Sequence, residues 1–545
     1  MEEVDILIQN GIIYDGSGSE PIRRDISVKE GKINQIASNL KTEASFVIDS
    51  NGLVVCPGFI DMHSHSDMSL PFDNRLESTI RQGITTSVIG NCGFSLAPVN
   101  ENRIDMLRKG FEIFAPPGAK LEIKWRTFDS YLGFLERNRI SSNIVNLVGF
   151  GAIRIAGGPG YENRSPRREE LEEMKNYTRE AMEAGAVGLS TGLIYPPQVY
   201  ATTDEIIELS KIVAEFRGLY FSHIRGEGDT VVKAVQEVID IVKASGCDGG
   251  QIAHHKVAGK HFWGTSRETL RLISEANERG ISIKCDQYPY NRGSTSLISI
   301  LPPWVHEGGA EKLLERLRDS ETVSKIKKDI EQTQDWENIK HEAGWDRIFI
   351  ASVKTDKWKD IEGLSLKEIT ELRGYADEYD TLFELLLDEN AEVTMTMESM
   401  GDEDIERIMK GKYTMIGTDG SGVAPTGILS HGKPHPRYYG TYPRILGHYV
   451  REKGILTLSE AIYKMTGFPA KTLNLQDRGF LKAGNWADIV IFDPNTIIDR
   501  ATFMNPHQFP EGIHHVIVNG ISVVNEKGQN DELPGKVLRH NRLNN

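Results

Sequence analysis

Residues 58–65 have the sequence GFIDMHSH, in which a short apolar run ends in two histidines separated by one residue. Seven further strand-like runs follow, and amphipathic helical stretches such as REELEEMKNYTREAMEAG (168–185) lie between them. The runs are TTSVIGNC (85–92), IVNLVGF (144–150), GAVGLSTG (185–192), LYFSHI (219–224), GQIAHHK (250–256), ISIKCDQYPY (281–290) and YTMIGTDG (413–420). Eight alternating strand and helix units predict an α/β fold with a (β/α)8 TIM-like barrel.

The two ends of the chain have a different pattern. The segments DILIQNGIIYDGSG (5–18) and RRDISVKEGKINQIAS (23–38) alternate apolar and polar residues between turn signals, and so do GFLKAGNWADIVIFDP (479–494) and IHHVIVNGISVVNEKG (513–528). This alternation is typical of short antiparallel strands. We predict a small composite β-sandwich domain from residues 1–56 and 478–545, and a barrel from residues 57–477.

A long segment separates the seventh and eighth predicted strands. It contains the charged helical sequence EKLLERLRDSETVSKIKKDIEQ (311–332) and a strand-like run, RIFIASV (347–353). We interpret residues 292–385 as an insertion. A lid or pocket wall and a plain surface embellishment are equally compatible with its sequence.

Charge and composition exclude several classes of partner. The chain has 545 residues, a formal net charge of −15 and a sequence pI near 5.6. This charge disfavours nucleic acid and anionic membranes, which require an electropositive surface. No apolar run reaches the roughly 18 residues of a membrane helix, and MEEVDILIQNG (1–11) does not resemble a signal peptide. We therefore expect a cytoplasmic protein with a small-molecule partner; the oligomeric state stays open.

Polar side chains of the kinds that bind metals follow five of the predicted strands. They are His63, His65, Cys92, His223, His254 and Asp419. His63 and His65 are two apart on a strand, so both imidazoles can face one metal ion. Each residue alone is better explained as a buried structural group or a turn carboxylate. Because the strand ends of a barrel share one pocket, the six together favour a metal site.

A metal site of this kind suits amide hydrolysis. A bound metal ion lowers the pKa of a water to near ~7 and polarises the carbonyl that the water attacks. A carboxylate within reach can move the proton from the water to the leaving nitrogen, and we assign this role to Asp419. We do not expect Cys92 to be a nucleophile, since a metal would keep its thiolate occupied.

Seven segments that follow one another along the chain give the sequence a specific family resemblance. The segments are GNCGFSLAP (90–98), GLSTGLIYPP (188–197), SHIRGEGD (222–229), AHHKVAG (253–259), YPYNRGST (288–295), IGTDGSG (416–422) and HPRYYGTYPRILGHY (435–449). They resemble the D-aminoacylase (N-acyl-D-amino-acid deacylase) family of the amidohydrolase superfamily. Many binuclear relatives place a carboxylated lysine at the end of strand four. GAVGLSTG (185–192) has no lysine, and Cys92 takes its place.

The resemblance implies a cofactor and an activity. Cys92, His223 and His254 would hold a tightly bound zinc ion, whereas His63, His65 and Asp419 would form a weaker second site. The implied reaction is hydrolysis of an N-acyl-D-amino acid to a carboxylate and a free D-amino acid. The preference for the D enantiomer follows from the resemblance alone.

The resemblance also implies how the substrate is bound. Lys256, Tyr288 and Arg437 would bind its α-carboxylate. On spacing alone, Lys256 is equally well explained as a solvated lysine, and Tyr288 as a core aromatic residue. The segment GSTSLISILPPW (293–304) is largely apolar and only Arg292 lies nearby, which favours a neutral or apolar side chain. Core packing explains this segment equally well.

Three other functions remain compatible with the sequence. The first is a dipeptidase that cleaves dipeptides with a C-terminal D-residue. The second is a cyclic amidase of the hydantoinase or dihydroorotase type, which the missing strand-four lysine disfavours. The third is a non-catalytic scaffold, which the complete set of six metal-type residues disfavours.

Overall fold

The computed structural model of the protein describes residues 3–332 and 336–540, and these residues form 21 β-strands. The outermost residues of the predicted composite domain (1–2 and 541–545) and residues 333–335 of the predicted insertion lie outside the described ranges. The strands are β1 (Val4–Ile13), β2 (Ile22–Lys29), β3 (Lys32–Ala37), β4 (Ala44–Asp49), β5 (Val54–Pro57), β6 (Phe59–Asp61), β7 (Ile84–Ile89), β8 (Asn143–Asn146), β9 (Val148–Gly149), β10 (Gly188–Gly192), β11 (Leu219–His223), β12 (Gly249–Ile252), β13 (Ile283–Gln287), β14 (Arg292–Ser296), β15 (Ile348–Ser352), β16 (Thr394–Glu398), β17 (Thr414–Ile416), β18 (Ile489–Phe492), β19 (Ile513–Val518), β20 (Ile521–Asn525) and β21 (Gly528–Gln529).

Seventeen α-helices lie in the same ranges, and among them none is both long and apolar enough to cross a membrane. The helices are α1 (Glu77–Ile80), α2 (Ile104–Glu112), α3 (Phe128–Asn138), α4 (Phe150–Gly157), α5 (Arg168–Ala184), α6 (Thr203–Glu215), α7 (Val231–Ser245), α8 (Ser266–Glu278), α9 (Ala310–Arg318), α10 (Ser320–Gln332), α11 (Ile339–Ala343), α12 (Leu366–Arg373), α13 (Glu378–Asp388), α14 (Asp402–Lys410), α15 (Arg437–Arg444), α16 (Leu458–Met465) and α17 (Gly467–Leu473).

The predicted (β/α)8 barrel is confirmed. Parallel pairing runs from β6 through β7 to β8 and from β9 through β10, β11, β12 and β13 to β17. Only Leu147 separates β8 from β9, so the two are halves of one barrel strand. A parallel bridge between Ser64 and Gly420 then joins the first strand to the last. Eight strand positions therefore close into a ring.

Asp61 holds this closure together, and we call the contact between the first and last strands the seam. Its carboxylate accepts hydrogen bonds from N and Oγ1 of Thr418 at 2.8 and 2.6 Å and from N of His63 at 3.1 Å. The backbone N of Asp419 donates to the carbonyl oxygen of His63 at 2.7 Å. Burial raises the pKa of Asp61 and the Thr418 hydrogen bonds lower it, and the net result is a pKa of about 7. The seam thus sets the position of His63 relative to Asp419.

The barrel helices form where the sequence places apolar residues at helical spacing. The side chains that α5 buries against the barrel include Met174, Thr178 and Ala181, which are three or four residues apart. The helix ends at Gly185, whose φ of 106° is in the left-handed region that glycine adopts without strain. The helix α7 ends in the same way at Gly246.

The strands at the two chain ends lie in one nine-stranded sheet. Its order is β21-β20-β19-β18-β5-β1-β2-β3, and β4 also pairs with β1. The first half of β1 pairs with β4 and its last two residues pair with β5, so the sheet branches there. One apolar cluster joins Ile6 and Ile26 to Ile489 and Ile517. We propose that these strands form one composite domain.

The segment between the seventh and eighth barrel strands has a core of its own. Its strands β14, β16 and β15 form an antiparallel sheet in that order. The buried side chains Trp358, Ile326 and Leu382 belong to an apolar cluster drawn entirely from this segment. The sheet reaches past residue 385 to β16, a five-residue strand whose alternation is too short to stand out in the sequence.

Candidate active site

The predicted metal-binding residues lie together at the C-terminal ends of the barrel strands. They are His63 and His65 after β6, Cys92 after β7, His223 at the end of β11, His254 after β12 and Asp419 after β17. All except the fully buried His63 line one cavity of about 660 Å3, which the three predicted substrate-binding residues Lys256, Tyr288 and Arg437 also line. All nine predicted residues therefore meet at one site.

Cys92 is at the centre of the histidines. Its Sγ lies 3.3 Å from Nε2 of His63, 3.4 Å from Nε2 of His254 and 3.8 Å from Nδ1 of His223. Burial alone would raise the pKa of the Cys92 thiol, but the neighbouring His63 and His254 lower it well below its usual value. The thiolate is the form that binds metal ions, so this surrounding suits a ligand.

Asp419 lies between His63 and His65 on one side and Arg437 on the other. Its Oδ1 lies 3.2 Å from Nε2 of His65 and 3.6 Å from Nε2 of His63, and its Oδ2 lies 3.0 Å from Nη2 of Arg437. Burial alone would raise the pKa of Asp419, but Arg437 and His254 hold it well below its usual range. The carboxylate is therefore ionised at neutral pH.

Three of these residues have an unusual backbone conformation. The φ angles are 53° at Cys92, 34° at His254 and 48° at Asp419. Residues other than glycine rarely adopt a positive φ, and each such residue lowers the stability of the fold by about 1–3 kcal/mol. Strain at three residues that face one another is typical of a functional site.

Glu227 is a site residue that the sequence analysis missed. Its Oε1 lies 3.1 Å from Nδ1 of His254, and its Oε2 lies 3.8 Å from Nε2 of His223. These are the imidazole nitrogens that point away from Cys92. A carboxylate behind a ligating histidine fixes its tautomer and ring orientation. No periodicity fixes a side-chain direction in the loop GEGD (226–229), so its position in the sequence does not mark Glu227 as a site residue.

Asp286 has the same role behind His63. Its Oδ1 lies 3.5 Å from Nδ1 of His63 and accepts a hydrogen bond from N of His254 at 2.8 Å. Its Oδ2 accepts one from Nε2 of Gln251 at 2.8 Å. Asp286 is two residues before Tyr288, so strand alternation places both on one face. This spacing was a usable signal.

Lys256 faces the cavity but has partners already. Its Nζ donates to Oε1 of Glu227 at 2.6 Å and lies 2.7 Å from Nδ1 of His254. If Nε2 of His254 held a metal ion, Nδ1 would carry a proton and donate to Glu227, and Lys256 would keep one donor on Glu227 and have its other two for other acceptors. The alternative of a solvated lysine is wrong, since Lys256 is only 7% exposed.

Arg437 and Tyr288 lie side by side. The guanidinium carbon of Arg437 lies 4.6 Å from the centre of the Tyr288 ring. The Nε and Nη1 atoms of Arg437 are buried without hydrogen-bond partners in the described part of the chain. Buried donors without partners are costly, and a ligand acceptor would satisfy them.

Arg292 is directed elsewhere. Its guanidinium carbon lies 3.9 Å from the ring centre of Phe349 and 4.2 Å from that of Phe503, and its Nη2 pairs with Glu398 at 3.1 Å. Arg292 is absent from the residues that line the cavity. It therefore does not provide a cation for a substrate side chain.

Comparison with known proteins identifies the family. The Amidohydrolase family matches residues 54–298, and a second Amidohydrolase family matches residues 371–524. The chain is 35% identical to a D-aminoacylase of Alcaligenes xylosoxydans xylosoxydans over 98% of this chain and 97% of that protein. The chain belongs to the D-aminoacylase family of amidohydrolases.

Two further similarities extend over the whole enzyme. An N-acyl-D-glutamate deacylase of the same organism is 34% identical over 99% of this chain and 97% of its own length. The crystal structure of the N-acyl-D-glutamate deacylase of Bordetella bronchiseptica, in complex with zinc and a phosphonate inhibitor, has a TM-score of 0.81 and 32% identity. It covers 99% of this chain and 100% of that chain.

We expect Cys92→Ala to abolish stoichiometric metal binding and turnover together. Cys92 Sγ lies within 3.8 Å of one ring nitrogen of each of the three nearest histidines, so the variant loses the proposed ligand at the centre of the cluster. Metal content of the purified variant is the measurement. The control is Cys247→Ala, which removes another buried thiol from outside the cavity lining. A metal-replete Cys92→Ala protein would contradict the ligand assignment.

Glu227→Gln tests whether the carboxylate behind His223 and His254 supports metal binding. We expect metal affinity to fall about 10- to 100-fold, since the histidines lose the group that fixes their tautomer. Chelator competition gives the affinity, and the visible spectrum of the cobalt(II)-substituted protein reports the ligand geometry. The matched control is Glu237→Gln in α7, whose carboxylate pairs with Arg225. Equal affinity in both variants would show that Glu227 does not act on the metal site.

Proposed function

We propose that the enzyme is a zinc-dependent deacylase that hydrolyses N-acyl-D-amino acids to a carboxylate and a free D-amino acid. The observation that carries this proposal is the arrangement of Cys92 among three histidines beside the ion pair of Asp419 and Arg437. The preference for the D enantiomer is supported by two relatives, a D-aminoacylase and an N-acyl-D-glutamate deacylase, which are 35% and 34% identical to this chain.

We propose one tight zinc site and one weaker site. The proposed tight set is Cys92, His223 and His254, whose Nδ1 and Nε2 atoms lie 3.8 and 3.4 Å from Sγ, and three protein ligands leave a fourth position open. His63, His65 and Asp419 form the second set, with donor atoms within 4.8 Å of one another. Zinc, when bound, supplies Lewis-acid activation of water and of the amide carbonyl.

Asp419 is the proposed acid and base. Its carboxylate is ionised, lines the cavity and is fixed by His65 and Arg437. We propose that it takes the proton of the attacking water and delivers it to the leaving nitrogen. The hydrogen bond from its backbone N to the carbonyl oxygen of His63 holds the backbone, and the contacts with His65 and Arg437 orient the carboxylate.

The substrate carboxylate is proposed to bind at Arg437, Lys256 and Tyr288. The two unsatisfied donors of Arg437 are the strongest support, because the pair with Asp419 engages Nη2 and leaves Nε and Nη1 in need of acceptors. Lys256 adds a second positive charge. The Tyr288 ring lies 5.7 Å from Nζ of Lys256 and packs beside Arg437, so it fills the space between the two cations.

The amino-acid side chain is proposed to be neutral. Apart from histidines, the described cavity lining contains three cationic residues, and each is paired with a carboxylate: Lys109 with Glu311, Lys256 with Glu227 and Arg437 with Asp419. Arg292 is engaged outside the cavity. An acidic side chain would therefore lose its hydration without gaining a cation of its own.

An amine-release assay on paired N-acetyl-D and N-acetyl-L amino acids tests the function. We expect zinc in the purified enzyme and hydrolysis of N-acetyl-D-leucine and N-acetyl-D-methionine. The N-acetyl-L compounds and N-acetyl-D-glutamate should be poor substrates. Zinc without hydrolysis of any N-acetyl compound would reject the proposal and direct the search to dipeptides with a C-terminal D-residue and to cyclic amides.

Asp419→Asn tests the proton transfer. We expect kcat to fall by about 10²–10⁴-fold, because the amide cannot accept the proton of the attacking water. Metal content in the Cys92 site should be unchanged, since Asp419 is not among its proposed ligands. The comparison of kcat with metal content is the measurement. Retained kcat would show that another group carries the proton.

A further inference from the structure

The cavity is larger than the groups that the proposed reaction accounts for. At about 660 Å3 it lies in the range of roughly 300–1,000 Å3 that holds drug-sized ligands. The predicted metal-binding residues lie at its inner end. So do Lys256, Tyr288 and Arg437, which we call the carboxylate anchors. The remaining volume reaches outward from the barrel to α2 and α9, and we call this part the outer chamber.

Aromatic rings form one continuous wall from the metal-type ligands to the outer chamber. The ring of Tyr195 lies 4.9 Å from that of His223, the ring of Phe94 lies 5.3 Å from that of Tyr195, and the ring of Phe114 lies 6.3 Å from that of Phe94. Tyr195, Phe94 and Phe114 all line the cavity. The wall is apolar except for the Tyr195 hydroxyl, to which Oγ1 of Thr295 donates at 3.0 Å.

Two helices complete the outer chamber. The helix α2 contributes Met106, and α9 contributes Leu313 and Leu314. Lys109 of α2 pairs with Glu311 of α9, and their side chains are 44% and 76% exposed. These apolar side chains lie inside a charged rim, although polar residues such as Glu112 and Asn390 also line the cavity, so an apolar chain that enters from water would follow the apolar side.

The position of the chamber identifies the part of the substrate that it faces. The aromatic wall begins at His223, beside Cys92, where the amide carbonyl would be attacked. Close packing surrounds Gly293 near Tyr288. A Cβ on Gly293 would meet Met397 Cε at 3.1 Å and Tyr288 Oη at 3.6 Å. In the proposed orientation, a side chain on the carbon that bears the carboxylate would start near Tyr288 and Gly293, whereas the acyl chain would start at the aromatic wall.

We propose that the outer chamber binds a long apolar acyl chain, so that the preferred substrates are N-acyl-D-amino acids with medium- or long-chain fatty acyl groups. This inference rests on the proposed deacylase function. Each methylene of the chain gains binding free energy when it leaves water for the chamber. A chain that binds along the wall also directs its carbonyl carbon to the Cys92 end of the cavity.

The first test is a chain-length series on one amino acid. We expect kcat/KM for N-octanoyl-D-leucine to exceed that for N-acetyl-D-leucine by about tenfold or more, with N-butanoyl-D-leucine in between. Equal values for the acetyl and octanoyl compounds would overturn the proposal. So would a gain of this size for N-acetyl-D-2-aminodecanoate instead, because the chamber would then hold the side chain.

Substitutions that fill the chamber give a second test. Leu314→Trp and Met106→Trp should each lower the octanoyl-to-acetyl ratio of kcat/KM about tenfold, since an indole takes the room of the chain. The control Leu372→Trp adds the same ring on α12, where Leu372 is 60% exposed and outside the cavity lining. An unchanged ratio in both chamber variants would overturn the proposal.

Calorimetric titration of octanoate and acetate into the zinc-loaded enzyme separates this proposal from the proposed function, because it needs no turnover. We expect octanoate to bind about tenfold more tightly or better, and Leu314→Trp to remove the difference. If octanoate binds in this way but no N-acyl-D-amino acid is hydrolysed, the deacylase function fails and the chamber stands. If N-acetyl-D-leucine is hydrolysed but octanoate binds no better than acetate, the chamber fails and the deacylase function stands.

Discussion

The candidate active site depends on the seam between the first and last barrel strands. Asp61 is buried at this seam and binds the backbone of both strands, so neither strand end can shift without breaking its hydrogen bonds. The bond from Asp419 N to His63 O then holds the two predicted metal-binding residues together. Cys92, on the strand next to β6, completes the cluster. An open sheet with the same residues would leave His63 and Asp419 at opposite edges.

Much of the fold and the inner site could be predicted from the sequence. Strand and helix periodicities alternate clearly, and polar residues at strand ends can face only one pocket. Glu227 could not be predicted, because loop residues carry no periodicity and its contacts depend on how the loop folds back over His223 and His254. The partners of Lys256 and the outward direction of Arg292 could not be predicted either, since both depend on contacts between segments far apart in the chain.

Charge and strain are concentrated at the site at the expense of stability. Cys92, His254 and Asp419 combine positive φ with nearly complete burial, and burial raises the pKa of Asp61 to about 7. Each of these conditions destabilises the folded chain. The large apolar cores of the barrel and of the inserted segment offset that cost. Sites optimised for chemistry commonly show this trade-off with stability.

The outer chamber and the catalytic cluster are built from different parts of the chain. All of the proposed zinc ligands come from barrel strand ends, whereas Leu313 and Leu314 come from a segment with its own core and Met106 comes from a surface helix. Mutations in these outer parts can accumulate without disturbing the ligand geometry. This modularity makes the fold evolvable: descendants of one ancestral enzyme can acquire new substrate ranges while inheriting an unchanged reaction.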